Sequence, residues 1–177
     1  SMKDASCEET DFVTNQFGFQ RFGMGFALDE VGGRDDTLYV AEINFQGPPE
    51  GLATIDTETL ELSPIGPFSQ SFGNALELTS SSDGNLYGYF LDPNGGGWVV
   101  SIDKTDATIL EATYLPVGQG SSALAFAWWG GDFYIFTSPG GVPGVDRYDP
   151  DPGTVGSITS LSATIVGAGV STCAPGG

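Results

Sequence analysis

Three sets of residues recur along this chain at one nearly constant interval. Ala27-Leu28, Ala75-Leu76 and Ala123-Leu124 stand 48 and 48 residues apart. Leu38-Tyr39, Leu86-Tyr87 and Phe133-Tyr134 stand 48 and 47 apart, and Ile55-Asp56, Ile102-Asp103 and Tyr148-Asp149 stand 47 and 46 apart. A fixed period of this length marks a structural unit that cannot bury its apolar faces alone and must stack on its neighbours.

Each unit reads as four short strands. The first holds the Ala-Leu pair and leads to a turn rich in Asp and Gly: Gly32-Gly33-Arg34-Asp35-Asp36, Ser82-Asp83-Gly84-Asn85 and Gly130-Gly131-Asp132. Such residues reach positive φ cheaply and close hairpins. The second strand is aromatic and β-branched, as in Thr37-Leu38-Tyr39-Val40-Ala41 and Phe133-Tyr134-Ile135-Phe136-Thr137. Pro/Gly loops follow at 46–51, 92–97 and 139–144. The third strand ends at the Asp anchor, whose carboxylate is expected to start a turn. The fourth strand is expected at 60–66, 109–118 and 162–167. The apolar character of Leu38 to Ile43 is nearly continuous, as in a strand covered on both faces. Thr59-Leu60-Glu61-Leu62-Ser63 alternates, as in an outer strand wet on one side. No stretch keeps a 3.6-residue period with caps, so almost no helix is expected. The fold class is therefore all-β, with the units as blades of a β-propeller, since a β-sandwich does not demand a fixed period.

The motifs Leu38-Tyr39-Val40-Ala41, then Gly51-Leu52-Ala53-Thr54-Ile55-Asp56-Thr57-Glu58-Thr59, then Pro64-Ile65-Gly66 resemble the bacterial YVTN-type propeller repeat. Val99-Val100-Ser101-Ile102-Asp103-Lys104-Thr105 and Leu115-Pro116-Val117-Gly118 repeat the likeness in the second unit, while Arg147-Tyr148-Asp149-Pro150-Asp151-Pro152-Gly153 departs from it in the third. The resemblance implies a binding propeller that is exported: extracellular, periplasmic or at the cell surface. It carries over no catalytic residue.

Phe17-Gly18 precedes Ile65-Gly66 by 48 residues, so 11–17 is expected to be the last strand of an incomplete blade. The chain then divides into a tag-like tail at 1–10, opened by Ser1-Met2, and a leading strand within 11–23. Blades follow at 24–71, 72–119 and 120–168, and a tail at 169–177, all in one domain. Three blades are too few for a ring, since propellers have about four to eight. Three solutions remain: two copies joined as a six-bladed homodimer, the missing part of a longer chain, or an open stack capped by its tails. The only cysteines, Cys7 and Cys173, flank the repeats. They are expected to form a disulfide within or between chains, in an oxidising compartment.

The formal charge of −18, with five Lys+Arg against 23 Asp+Glu, repels nucleic acid and anionic lipid. No apolar run reaches the roughly 18–20 residues of a membrane span. The lack of histidine excludes a Ser-His-Asp triad and histidine-ligated metal. Two candidate sites remain. The tryptophans Trp98, Trp128 and Trp129 border loops and can stack on a sugar or anchor a partner. Asp146, Asp149 and Asp151, close together in an acidic Pro/Gly loop, are a candidate calcium site, and no other cofactor is expected. The expected function is a non-enzymatic module that binds protein or glycan through its loops, or a self-assembling scaffold. The alternative is a carboxylate-based, calcium-dependent hydrolase or lyase.

Overall fold

The computed structural model describes residues 4, 6–7, 9–44, 51–73 and 75–176. Ser1-Met2, five of the six residues of the loop at 46–51, and Asn74 lie outside them. Twelve strands form three four-stranded antiparallel sheets, each a simple meander. The first sheet holds β1 (Phe22–Leu28), β2 (Asp36–Glu42), β3 (Leu52–Ile55) and β4 (Leu62–Gly66). The second holds β5 (Ala75–Ser80), β6 (Leu86–Leu91), β7 (Gly97–Ile102) and β8 (Ile109–Leu115). The third holds β9 (Ser121–Trp129), β10 (Asp132–Pro139), β11 (Gly144–Asp149) and β12 (Thr154–Ser160). Among the described residues there is no helix, and so none long and apolar enough to cross a membrane.

Consecutive sheets meet at their first strands, β1 against β5 and β5 against β9. Glycine makes the first approach possible. A Cβ on Gly23 would stand 2.4 Å from the Leu76 carbonyl oxygen, inside any allowed contact. Burial follows the same order. Tyr89 and Phe90 on β6 are fully buried, whereas the middle of β8 and nearly all of β12 are exposed. The sheets are thus blade-like, with a covered inner half and a wet outer edge.

Two apolar clusters glue the stack. Ala27, Tyr39, Ala41 and Leu52 of the first sheet pack on Leu76, Leu78, Phe90 and Val100 of the second. Tyr89, Val99 and Leu115 of the second pack on Phe126, Phe133, Ile135 and Tyr148 of the third. The anchor aspartates turn the chain as expected. Asp56 Oδ1 accepts from the Thr59 and Glu58 amides at 2.8 and 2.9 Å, and Asp103 Oδ1 accepts from the Thr105 hydroxyl and amide at 2.6 and 2.8 Å. These bonds to the charged form hold both carboxyls below the usual range.

Three expectations are corrected. Residues 11–17 form no strand. Asn15 and Phe17 take positive φ (65° and 50°), which breaks an extended backbone, and only an isolated bridge joins Gln16 to Phe19. The segment instead lies on the free face of the first sheet. There Phe19 is buried with Val40, Ala53, Ile55 and Leu62, and Phe12 meets Phe22 edge to face. Gln16 donates to the Leu60 carbonyl and accepts from the Leu62 amide, standing in for a strand partner. The fourth strand of the third unit is β12, ahead of 162–167, because the turn through Pro150, Pro152 and Gly153 (φ 66°) returns the chain at once. Cys7 and Cys173 are both exposed and not bonded to each other within the chain.

The C-terminal tail crosses back over the stack. Thr172 donates to Asp36 of the first sheet at 3.0 Å, Pro175 accepts from the Gly130 amide of the third at 3.2 Å, and Ala174 is buried among residues of the second and third sheets.

Candidate functional site: a groove between the second and third sheets

Alternation along a strand sends successive side chains to opposite faces, so residues opposite each other in register share a face. On the second sheet, Tyr87, Ser101 and Glu111 are partners across β6, β7 and β8. On the third, Trp128, Phe133 and Tyr148 are partners across β9, β10 and β11. These two rows face one another and line a groove of about 450 Å³. The hairpin turn Ser81-Ser82-Asp83, Thr113 and Pro150 also line it.

The floor is aromatic. Tyr87 and Phe133 meet edge to face with centroids 4.9 Å apart, and Phe133 is stacked between Phe126 and Tyr148 at 5.3 and 6.0 Å. The Trp128 backbone is fixed to the neighbouring sheet, its amide donating to Thr79 Oγ1 at 3.1 Å. The rim is polar. The Ser81 hydroxyl and the Asn85 amide nitrogen both donate to Asp83, which fixes that carboxylate beside the groove. Burial, and then the negative charge of Asp83, push the Tyr87 phenol above its usual pKa, so it stays a neutral hydroxyl. Two carboxylates, several hydroxyls and ring edges, with no lysine or arginine in the lining, form an acceptor-rich site. It disfavours anions and suits a ligand that carries many O–H or N–H donors.

The three tryptophans separate. Trp98 is a packing residue: its ring lies against Phe72 and Tyr114, and its Nε1 donates to Asp92 at 3.0 Å. Trp128 is 6% exposed in the groove wall, while Trp129, the next residue along β9, is 52% exposed. The candidate calcium ligands separate too. Asp146 lies opposite the buried Ile135 in register, and burial raises its pKa. Asp149 pairs with Arg147 and accepts from the Asp151 amide. Among the described residues no three of Cys, Asp and Glu are grouped to hold a metal.

Tyr87, Glu111 and Asp83 were not singled out by sequence. Tyr87 and Phe133 belong to the same anchor set but to alternate positions of it, so they face opposite sides of their own sheets, and the sequence does not say that these two sides meet across a groove. No model of a known protein family matches this chain, and no curated protein matches it.

Proposed function

We propose that the chain is a non-enzymatic, exported module of β-propeller type that holds a glycan in the groove between its second and third sheets. The observation that carries this is the aromatic floor formed by Tyr87, Trp128, Phe133 and Tyr148 under a rim of hydroxyls and carboxylates. Rings give a flat apolar contact for the C–H face of a sugar, and the rim accepts from its hydroxyls. The acidic surface restricts the ligand to neutral or amino sugars. Export and the propeller class rest on the YVTN-type resemblance. A three-plus-three ring would set the free face of one first sheet on the third sheet of the other copy. Residues 12–22 occupy that first face, which favours the capped open stack.

The test is a glycan array followed by titration calorimetry on the hits. A neutral or amino oligosaccharide is expected to bind, with Tyr87→Ala weakening it about tenfold or more while the melting temperature of the rest of the fold is kept. Binding of no such glycan, or binding indifferent to Tyr87→Ala and Glu111→Ala, would overturn the assignment. Capture of a basic peptide instead would move it to a protein ligand. Asp83 and Glu111 on one groove are the residue type of the second reading, a carboxylate-based hydrolase. Reducing sugar released from the bound oligosaccharide by wild type and not by Glu111→Gln would establish that reading.

A further inference from the structure

The seam between β5 and β9 has a second opening. The groove lies where these strands end, at Thr79 and Trp128. Where they begin, Glu77 of β5, Leu91 of β6 and Ser122 and Leu124 of β9 line a separate pocket of about 300 Å³. Ile43, just past β2, adds a wall from the first sheet. Apart from Ser121, Ser122 and Glu77 the lining side chains are aliphatic. A concave, mostly apolar site with one fixed charge is the usual form of a small-molecule pocket. We propose that this pocket binds a small primary ammonium with an apolar body, Glu77 serving as its counter-ion.

The surroundings of Glu77 argue for the ligand. Its carboxylate lies against the β1 backbone, where a Cβ on Gly23 would stand 3.1 Å from Oε2 and the Met24 amide donates to it. Neither β1 nor β9 carries a titratable side chain. On β6, Tyr89 stands opposite Glu77 with its hydroxyl donated to the Val117 carbonyl at 2.9 Å, and Tyr87 lies in the groove. On β2, Tyr39 packs in the cluster on the other side of β5, Glu42 shares its face with Phe22, and Asp36 pairs with Leu28 at the far end. Arg21, whose carbonyl accepts from the Ile43 amide, is exposed and forms no ion pair with Glu77. The carboxylate thus has no cation beside it among the described residues. Burial holds its pKa up at about 7, as expected of a charge lacking a partner. An ammonium supplies that partner, with donors for Glu77 and for the Ser122 hydroxyl, while its body lies on Leu91 and Leu124. A neutral apolar ligand would dry the carboxylate without pairing it, which costs free energy, and an anion would be repelled. The charge of −18 draws cations to the surface in general. The pocket is independent of the glycan groove.

Chemical-shift titration of isotope-labelled protein with cyclohexylammonium, and with cyclohexanol as its neutral counterpart, tests this. At about pH 8 cyclohexylammonium is expected to bind with a Kd on the order of millimolar, moving the Ala75, Ala123 and Leu124 amides. At about pH 5.5 Glu77 is protonated, and binding should weaken about tenfold or more. Glu77→Gln should weaken binding about tenfold or more at about pH 8 and remove the pH dependence. Ala75→Leu keeps the carboxylate but fills the pocket, and should block binding even if Glu77→Gln does not fold. Glu58→Gln, at an exposed carboxylate between β3 and β4, should change nothing. Absence of the shifts up to about 50 mM overturns the proposal, as does cyclohexanol binding equally tightly. Binding indifferent to pH or to Ala75→Leu overturns it too. Equal weakening by Glu58→Gln would assign the response to the acidic surface as a whole and overturn it as well.

Discussion

Glu77 sits on β5, opposite Tyr89 in register, where β1 comes closest. Burial raises its carboxyl pKa from 4.5 to about 7, against the opposing effect of a hydrogen bond from the Met24 amide. The folded protein therefore holds this proton more tightly than the unfolded chain. The sign of the linkage follows: the contribution is fully present below pH 4.5 and is lost as pH rises through about 7. The loss is at most on the order of 3 kcal/mol. Glu77→Gln keeps the neutral shape at every pH. In thermal melts it should match wild type near pH 4.5 and be the more stable of the two at pH 8. Equal stability of the pair at pH 8 would show that Glu77 ionises without cost.

The leading segment is the element whose role differs most from what its residues imply in isolation. Phe19 is 2% exposed in a cluster of its own, so Phe19→Ala should cost about 3–5 kcal/mol in urea unfolding, while Phe17→Ala, at a 66% exposed side chain, should cost almost nothing. A strand at 11–17 would instead make the two substitutions comparable. The three meanders were legible because their signals are local. The Asp and Gly turns, the apolar anchors and the Asp56 and Asp103 turns repeat with the unit and need no distant partner. The leading strand was misjudged because Phe17-Gly18 copies the spacing of Ile65-Gly66, whereas left-handed backbone at Asn15 and Phe17 and the tertiary burial of Phe19 override it. The final strand moved because the Pro150 to Gly153 turn is shorter than the period allows. The groove was out of reach for a different reason. Glu111 lies on an exposed strand and Tyr148 on a buried one, and only stacking of two sheets sets their rows face to face.

At the scale of the whole molecule, one arrangement generates everything else. Sheets that meet at β1, β5 and β9 bury two apolar clusters between them and leave a groove between the second and third. Phe12, Phe19 and Phe22 pack on the free face of the first sheet, and the tail ties the first sheet to the third. The most direct test is a set of long-range nuclear Overhauser contacts in isotope-labelled protein. Contacts are expected between Gly23 and Glu77, between Gly25 and Leu78, and between the Trp128 amide and Thr79. Their absence, with contacts instead joining β4 to β8 or β8 to β12, would contradict stacking through the first strands.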